Sequence, residues 1–555
     1  MTAAGGPSAR SVDAWSRHLG EPVAPDALLE QLTAGTLAEA FHATAVASPD
    51  RPALDIDGRA RTHGQLDAEA AGWAGALAAR GVGSGDAVLI AAPSSIDLVV
   101  AYLGALRLGA LVVLANPAYT PAELRHLLDD SGAVAAIAGG DARERVAAVG
   151  SDIALLDVDA PEASDPVAPV GVASESPALL AYTSGTTGVP KAVPLTHANL
   201  LSSIRAAMLA WRWSADDVLV HSLPLSHQHG LGGVHATLLA GSRAVLRSRF
   251  DPAATCESIA AARASVLFAV PAMYERLMAW DGLDAADLGT LRLMVSGSAP
   301  LSPALAARIE ERLGDLPLER YGTTETGLDV SNPLTGARRP GTVGLPLPGV
   351  ECEVADDAGV PLAPGERGEI VLRGPQVFGG YRGDPETTAA AFHPGGWFRT
   401  GDVGRFDPED GYLEITGRLK ELIITGGMNV YPREVELALE AAPGIARAAV
   451  VGLPSERWGE EVAAAVVAGP GGMPVAEDVI AFARERLAPY KCPKRVVVVD
   501  ELPANAMGKL SRPAVAELLE LDSALAGYRS MLKRAGERLA EEPLEGAEPS
   551  SESWE

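Results

Sequence analysis

The segment that decides the fold runs Tyr182-Thr-Ser-Gly-Thr-Thr-Gly-Val-Pro-Lys191 and follows directly on the apolar stretch Ala178–Ala181. The apolar stretch predicts a buried strand, and the dense hydroxyls and glycines after it predict a loop. Backbone N–H groups and hydroxyls in such a loop can converge on phosphate oxygens, and Lys191 adds a positive charge. The alternative is an ordinary Ser/Thr/Gly turn. The spacing GxxxxGK[ST] of a P-loop NTPase is absent.

A second segment, Glu319-Arg-Tyr-Gly-Thr-Thr-Glu-Thr326, places an aromatic ring next to a hydroxyl and a carboxylate. The ring of Tyr321 could stack on a nucleobase. Mg²⁺ takes hard oxygen ligands, often one or two carboxylates together with substrate phosphates, and Glu325 beside Thr324 suits that role. A strand end with a solvated glutamate is the alternative interpretation.

Three further segments carry candidate ligand groups. Gly396-Trp-Phe-Arg-Thr-Gly-Asp402 ends in a carboxylate that suits a ribose diol, and Thr416-Gly-Arg-Leu-Lys420 follows it with two cations. Near the C-terminus, Pro503-Ala-Asn-Ala-Met-Gly-Lys509 leaves an extended ammonium group in a turn. Taken alone, each charged side chain could equally be an ordinary surface residue.

The alternation of short β-rich runs with Ala/Leu-rich helical stretches from Leu37 onward predicts an α/β fold with largely parallel sheets. A Gly/Pro-dense stretch at Arg338–Gly349 then leads into segments typical of an antiparallel meander or small barrel. Beyond Arg418 the pattern changes to a compact α+β unit. The predicted organisation is a variable leader (1–35, partly helical around Leu28–Leu32), an N-terminal domain (36–419), a C-terminal domain (420–515) and a helical, acidic tail (516–555).

Composition restricts the partners. Lys and Arg number 45 against 72 Asp and Glu, a formal net charge of −27. A generic binder of nucleic acid or of an anionic membrane surface would carry the opposite sign, so neither partner is expected. The most apolar region, Ala87–Ala115, is interrupted by Pro93, Asp97 and Arg107, whereas a membrane span takes about 20 apolar residues. Three dispersed cysteines and the lack of an apolar N-terminal signal predict a cytoplasmic protein.

In this order and at these separations, the motifs resemble the adenylate-forming superfamily of acyl-CoA synthetases, peptide-synthetase adenylation domains and beetle luciferases. The resemblance extends over roughly Leu37–Arg512. It implies a large N-terminal domain of two α/β subdomains plus a small β-barrel, followed by a small mobile α+β C-terminal domain. It also implies the reaction, in which ATP and a carboxylic acid give an acyl-adenylate and pyrophosphate, and the thiol of CoA then takes the acyl group.

The resemblance also assigns roles to individual residues, with Tyr321 on adenine and Asp402 on ribose. The family's ATP-binding residues correspond here to Thr183, Ser184, Gly185, Thr186, Thr187, Gly188, Lys191, Ser298, Tyr321, Gly322, Asp402 and Arg418. Its catalytic residues correspond to Lys509, Thr324, Glu325 and His227, and its Mg²⁺ ligands to Glu325 and Thr187. Lys420 would lie at the hinge between the domains, and Gly426 and Gly427 would let the pantetheine arm of CoA pass.

Within the superfamily, the segments PLSHQHGL, VPAMYER, VSGSAPL and ERYGTTET look most like malonyl-CoA synthetases. In that subfamily, arginines at the positions of Arg276 and Arg320 grip the second carboxylate of the acid, a task that suits a planar guanidinium. The alternatives are that Arg276 caps a helix and that Arg320 pairs with Glu319. The predicted substrate-binding residues are Arg276, Arg320, His227, Ser296 and Asp329, although His227 could also be a core histidine.

Asp329 and Gly327 depart from that subfamily. The carboxylate of Asp329 near the pocket would oppose a dianion and would instead favour an acid with an amino or hydroxyl group. The predicted function is ligation of a small or polar acid, such as malonate or methylmalonate, to CoA. The alternative is an enzyme that passes a polar, aryl or amino-substituted acid to a carrier-protein thiol or a nitrogen nucleophile. An inactive binding paralogue is not expected, because the residues that the reaction needs are all present: Glu325, Asp402, Arg418 and Lys509.

Overall fold

The protein divides into two compact units, Met1–Ile415 and Thr416–Glu555. The computed structural model describes residues 7–149, 153–160, 164–183, 190–455, 457–469, 473–504 and 510–522. Each unit contains its own hydrophobic clusters. The predicted fold class, a large mixed α/β N-terminal part followed by a smaller α+β part, is confirmed.

The first unit combines helices and strands in layers. Its α-helices are α1 (Ala9–Leu19), α2 (Pro25–Thr33), α3 (Leu37–Ala47), α4 (His63–Ala78), α5 (Ile96–Arg107), α6 (Pro121–Ser131), α7 (Asp141–Val149), α8 (His197–Ala210), α9 (Gln228–Ala240), α10 (Pro252–Ala262), α11 (Pro271–Met278), α12 (Pro303–Leu313) and α13 (Pro385–Ala390). Its strands are β1 (Pro52–Ile56), β2 (Arg59–Thr62), β3 (Ala87–Ala91), β4 (Leu111–Leu114), β5 (Ala135–Ala138), β6 (Ala154–Asp157), β7 (Pro177–Thr183), β8 (Lys191–Thr196), β9 (Val218–His221), β10 (Arg243–Leu246), β11 (Val266–Ala269), β12 (Leu293–Ser296), β13 (Leu318–Tyr321), β14 (Val330–Ser331), β15 (Leu345–Pro346), β16 (Glu351–Ala355), β17 (Gly368–Arg373), β18 (Phe392–His393), β19 (Trp397–Phe406) and β20 (Leu413–Arg418), the last of which crosses the boundary between the units.

Three sheets organise these strands. One has the order β15-β14-β13-β12-β11-β9-β10-β1-β2, and a second has the order β6-β5-β3-β4-β7-β8. Their central strands run parallel, as the alternation of strands and helices predicts. The third sheet has the order β16-β17-β19-β18, with β20 on β19, and its pairs β16–β17, β17–β19 and β18–β19 are antiparallel. The most apolar region of the sequence forms β3, α5 and β4, and no helix in the described residues is long and apolar enough to cross a membrane.

The second unit is a small α+β domain. Its elements are α14 (Pro432–Glu440), α15 (Ala476–Arg484), β21 (Ile423–Thr425), β22 (Met428–Val430), β23 (Ile445–Ser455), β24 (Gly459–Ala468) and β25 (Arg495–Val499). The sheet order is β22-β21-β24-β23, with β25 parallel to β24. A further helix begins at residue 512, and residues 523–555 of the predicted tail lie outside the described residues.

A capping box starts α8 immediately after β8. The Thr196 hydroxyl accepts a hydrogen bond from the Asn199 amide, and the Asn199 side chain accepts one from the Thr196 amide. The Asn199 amide group also donates to the carbonyls of Pro375 and Val377, at 2.8 and 3.0 Å. A helix terminus therefore anchors a loop that is far away in sequence and that passes next to the candidate site.

The N-terminal segment forms two packed helices, whereas the sequence indicated a variable leader that is helical only in part. Trp15 on α1 is fully buried, and its indole Nε1 donates to the carbonyl of Val350 at 2.8 Å. Arg205 on α8 donates to the carbonyls of Leu32 and Ala34 at the end of α2. The partner of Trp15 is 335 residues away along the chain, which explains why the local sequence pattern gave no sign of this packing.

We expect Trp15→Phe to lower the free energy of unfolding by about 1–2 kcal/mol, because it removes the buried indole hydrogen bond and part of the ring volume. The measurement is chemical denaturation followed by circular dichroism. Trp458→Phe serves as the control, since Trp458 is 42% exposed. Equal effects of the two substitutions would contradict an integral role of α1.

Candidate active site

Tyr321 and Asp402 meet in the interior of the first unit. Tyr321 is the last residue of β13, and its hydroxyl donates to Asp402 Oδ2 at 2.6 Å. Both side chains are buried, and Asp402 is further fixed because its amide donates to Thr400 Oγ1 at 3.0 Å. Burial and the neighbouring Asp402 carboxylate raise the pKa of Tyr321, which therefore remains a hydrogen-bond donor. The structure thus brings together the residues predicted for adenine and ribose.

The loop after β13 presents Thr324 and Glu325. The side-chain amide of Gln228, the first residue of α9, donates to the Thr324 carbonyl at 2.7 Å. The Glu325 carboxylate accepts a hydrogen bond from the Tyr381 hydroxyl at 3.0 Å, and Lys191 Nζ lies 5.0 Å from the centre of the Tyr381 ring. The predicted metal ligand and the predicted loop lysine therefore share one tyrosine.

Gly322 is required by the tight path of this loop. A Cβ at position 322 would lie 1.9 Å from the carbonyl oxygen of Gly327. Gly327 itself has a φ of 78°, in the left-handed region that favours glycine, and a Cβ there would lie 2.4 Å from Ser203 Oγ. The departure from the subfamily at position 327 thus accompanies a compact turn.

The two ends of the predicted phosphate loop are adjacent. Thr183 at the end of β7 pairs with Lys191 at the start of β8 in antiparallel register. The intervening predicted residues lie outside the described residues, as does the predicted catalytic lysine, so their roles stay predictions: Ser184, Gly185, Thr186, Thr187, Gly188 and Lys509.

The parallel strands β9, β11, β12 and β13 end at one edge of the nine-stranded sheet. Ligands of open α/β sheets bind outside the carboxyl ends of the strands. Ser296 ends β12, and Arg320 is the penultimate residue of β13. Ser296 Oγ and Arg320 Nε are buried, and neither has a hydrogen-bond partner within the described part of the chain. Buried polar atoms are normally paired, so these two are candidates for contacts with a ligand.

Space for the Arg320 guanidinium depends on Gly297, because a Cβ there would lie 2.4 Å from Arg320 Nε. Burial lowers the pKa of Arg320 to about 10, and the Asp329 carboxylate opposes this effect. The guanidinium therefore stays protonated at neutral pH. The alternative partner, Glu319, accepts hydrogen bonds from the amides of Leu301 and Gly341.

Asp329 is fully buried behind this edge. Its carboxylate accepts hydrogen bonds from the Thr326 hydroxyl and from Gln376 Nε2, the latter at 3.1 Å. The pKa of Asp329 is raised to about 7, mainly because the carboxyl group is buried. The two hydrogen bonds and the charge of Arg320 act in the opposite direction but do not cancel the effect of burial. The carboxylate is enclosed by protein and acts on its surroundings through its charge.

Two histidines follow β9. His227 is the N-cap residue of α9 and makes no side-chain capping hydrogen bond. His229 Nδ1 lies 3.1 Å from Ser298 Oγ, and its ring centre lies 5.5 Å from that of Phe268. Ser298 has a φ of 67°, which is uncommon for a residue other than glycine. Ser298, predicted to bind nucleotide, therefore contacts the histidine-containing segment.

Arg276 lies apart from the other candidates. It is exposed in the last turn of α11, where its guanidinium stacks over the Phe250 ring at 4.9 Å and donates to the Phe250 carbonyl at 3.4 Å. Among the described residues it has no hydrogen bond to Arg320's neighbours Ser296 or Asp329. The proposed pair of arginines is therefore not assembled by direct contacts, and the role of Arg276 stays a prediction.

In the second unit, Arg418 ends β20, and Lys420 lies in the short 3₁₀ helix Leu419–Glu421. Both are exposed. Gly426 and Gly427 form the turn between β21 and β22 with φ values of 58° and 79°. A Cβ on Gly426 would lie 2.9 Å from the Trp458 ring, so glycine is needed at this turn for steric reasons as well.

Three residues that organise the site do not stand out in the sequence: Gln228, Gln376 and Tyr381. Each reaches its partner from a distant part of the chain, over separations of 96, 47 and 56 residues. The available signal was weak, because a polar residue at a helix start or after a strand is common in any protein.

The family is decided by matches of whole domains. The profile of the AMP-binding enzyme family matches residues 41–382, and the profile of the AMP-binding enzyme C-terminal domain matches residues 434–509. The chain belongs to the AMP-binding enzyme family. The predicted resemblance to adenylate-forming enzymes is thereby confirmed.

Relatives of this AMP-binding enzyme act on different acids. Feruloyl-CoA synthase of Amycolatopsis sp is 37% identical over 475 residues, 84% of this chain and 96% of that protein. The mitochondrial malonate–CoA ligase of Homo sapiens is 38% identical over 375 residues, 61% of this chain and 65% of that protein. ATP-bound MatB from Rhodopseudomonas palustris has a TM-score of 0.82 at 37% identity, covering 87% of this chain and 98% of that one.

The enzyme class predicted for this AMP-binding enzyme, an AMP-forming acid–thiol ligase, is confirmed by these matches. It uses ATP, a carboxylic acid and CoA. The relatives do not agree on the acid, so the choice of substrate depends on the geometry at the sheet edge.

Proposed function

We propose that the protein ligates small dicarboxylic or otherwise polar acids, such as malonate or methylmalonate, to CoA. The observation that carries the proposal is Arg320, a protonated and half-buried arginine whose Nε has no partner among the described residues. A planar guanidinium can bind a carboxylate through two parallel hydrogen bonds. Ser296 on the neighbouring strand offers a hydroxyl for the same ligand. The human relative named as a malonate–CoA ligase supports this choice.

The nucleotide would occupy the space between Tyr321, Asp402 and the loop that ends at Lys191. Mg²⁺ suits the donor set near Glu325, because hard carboxylate and hydroxyl oxygens are the ligands it prefers. Glu325 would hold the ion, with Thr187 as the second predicted ligand, and the ion would neutralise charge on the triphosphate. Lys509 would approach the reacting carboxylate and α-phosphate, and Thr324 would contact the α-phosphate. We further propose that the protein is cytoplasmic.

A second candidate acid has specific support, since the feruloyl-CoA synthase relative is 37% identical over 84% of this chain. Ferulate has a single carboxylate, so it would offer no second carboxylate for the Arg320 guanidinium to bind. The buried Arg320 Nε would then stay without a hydrogen-bond acceptor, which is unfavourable for a polar atom of a charged group. This argument favours the dicarboxylate.

The test is a panel of acids in an assay for pyrophosphate release with ATP and CoA, followed by mass spectrometry of the thioester. The acids are malonate, methylmalonate, ferulate, benzoate and octanoate. We expect kcat/KM for malonate to exceed that for each monoacid by at least about tenfold, the value of one additional charge-assisted hydrogen bond. A higher value for ferulate would overturn the dicarboxylate proposal. Replacing CoA by a carrier protein or an amine tests the alternative acceptors.

A further inference from the structure

A loop that we call the strap, residues 374–384, contacts two parts of the proposed nucleotide site, the loop that carries Glu325 and the strand that begins at Lys191. The Phe378 amide donates to the Glu325 carbonyl at 2.9 Å, and the Arg382 amide donates to the Ala192 carbonyl at 3.0 Å. The strap thus forms backbone hydrogen bonds both with the loop that carries Glu325 and with the strand that begins at Lys191. Its position fixes these two elements relative to each other.

Tyr381 lies in the C-terminal half of the strap and contacts the side chains of both Glu325 and Lys191. Its hydroxyl donates to Glu325 Oε1 at 3.0 Å, and the ammonium group of Lys191 lies 5.0 Å from its ring centre. A phenol suits this position because its hydroxyl stabilises an anion while its ring face attracts a cation. Burial and the Glu325 carboxylate raise the pKa of Tyr381, so the hydroxyl keeps its proton.

The tyrosine is itself held in place by protein contacts. Its amide donates to Thr388 Oγ1 at 2.9 Å, and its ring packs edge-on against Phe378 with 4.9 Å between ring centres. Asp384, at the end of the strap, adds a negative charge that interacts with Lys191. The position of the ring is therefore determined by the fold.

We propose that Tyr381 is a positioning residue that keeps the Lys191 ammonium and the Glu325 carboxylate apart and ready for a magnesium–triphosphate. Opposite charges in a partly buried site attract strongly. Without an intervening group, Lys191 and Glu325 would form an ion pair that competes with both the metal ion and the phosphates. The hydrogen bond to one Glu325 oxygen leaves the other oxygen for the metal. This inference rests on the proposed roles of Lys191 and Glu325.

The test compares Tyr381→Phe with Tyr381→Leu in calorimetric titrations of a non-hydrolysable ATP analogue, with Mg²⁺ and with EDTA. Tyr381→Phe removes only the hydroxyl and should weaken binding about tenfold in Mg²⁺ and leave binding in EDTA unchanged. Tyr381→Leu also removes the ring face and should weaken binding in EDTA by about threefold. In steady-state assays, both variants should raise KM for ATP and leave KM for the acid unchanged.

The matched control is Tyr412→Phe, because the Tyr412 hydroxyl donates to the Ala337 carbonyl at 2.7 Å, outside the nucleotide site. Thermal melts confirm that each variant is folded. The proposal would be overturned if the affinity of Tyr381→Phe for the ATP analogue depended on Mg²⁺ as in the wild type. It would also be overturned if the substitution weakened binding equally with Mg²⁺ and with EDTA. The titrations contain no acid, so a failure of the dicarboxylate proposal in the substrate panel leaves their outcome unaffected.

Discussion

Asp402→Ala is expected to lower kcat/KM for ATP by about two to three orders of magnitude, the value of losing two hydrogen bonds to a buried carboxylate. Asp402 is only 5% exposed and accepts the Tyr321 hydroxyl at 2.6 Å. The substitution would remove the proposed ribose acceptor and also leave the buried Tyr321 hydroxyl without its partner. The adenine contact and the ribose contact would therefore weaken together. KM for the acid should change much less.

Isotope exchange between pyrophosphate and ATP, at varied ATP and saturating acid, measures this effect. Tyr321→Phe separates the two contributions, since it removes the hydroxyl and keeps the ring, and we expect a loss of about tenfold. Asp356→Ala is the control, because Asp356 is an exposed carboxylate in a turn of the same unit, where it accepts the amides of Ala358 and Val360. A comparable loss in the control, or none in Asp402→Ala, would refute the assignment.

The layered fold could be predicted from the sequence because its signals are local. Runs such as Ala87–Ala91 and Val266–Ala269 are short, continuously apolar and separated by helical stretches, as parallel buried strands require. The N-terminal helices were harder to predict, since the contact that buries Trp15 is made with Val350. Long-range packing of this kind leaves no periodic pattern in the segment itself.

In the candidate site, too, the residues in short motifs could be predicted from the sequence, whereas the long-range contacts could not. Tyr321, Glu325 and Asp402 lie in short motifs whose residue types already suit a nucleotide, and the structure places Tyr321 against Asp402. The environment of Asp329 could not be predicted, because its partner Gln376 is 47 residues away. The sequence suggested that Asp329 faces the substrate, whereas the structure encloses it. Asp329 therefore acts on the pocket through its charge, and its role is tested by the pH dependence of substrate preference.

Arg320→Met is expected to lower kcat/KM for malonate by about a hundredfold, the value of a bidentate hydrogen bond between a guanidinium and a carboxylate. The value for benzoate should change little. Arg320→Lys keeps the charge but loses the planar fork, so it should recover only part of the activity. Arg308→Met, an exposed arginine on α12, is the control. Equal losses for malonate and benzoate would show that Arg320 supports the fold instead of the second carboxylate.

The preference for malonate over benzoate should depend on pH because of Asp329, whose pKa is raised to about 7. Below this pH the carboxylate is mostly protonated, and Arg320 presents its full charge. Above it, ionised Asp329 cancels part of that charge, so the ratio of kcat/KM for malonate to that for benzoate should fall about tenfold between pH 6 and pH 8. The other titratable groups that interact with Asp329 are Glu325, Tyr321 and Cys352. The pKa values of Tyr321 and Cys352 are raised, so neither ionises in this range.

Asp329→Asn keeps the size of the side chain and removes its titration, so the ratio should stay near its low-pH value across the range. The pH dependence of protein stability tests the raised pKa of Asp329 without any substrate. The unfolded chain releases this proton near pH 3.8 and the folded chain near pH 7, so the contribution of Asp329 to stability falls as the pH rises between these values. Thermal melts of Asp329→Asn should lack that fall. A substrate ratio that still declines with pH in Asp329→Asn would assign the effect to another group and remove Asp329 from the control of specificity.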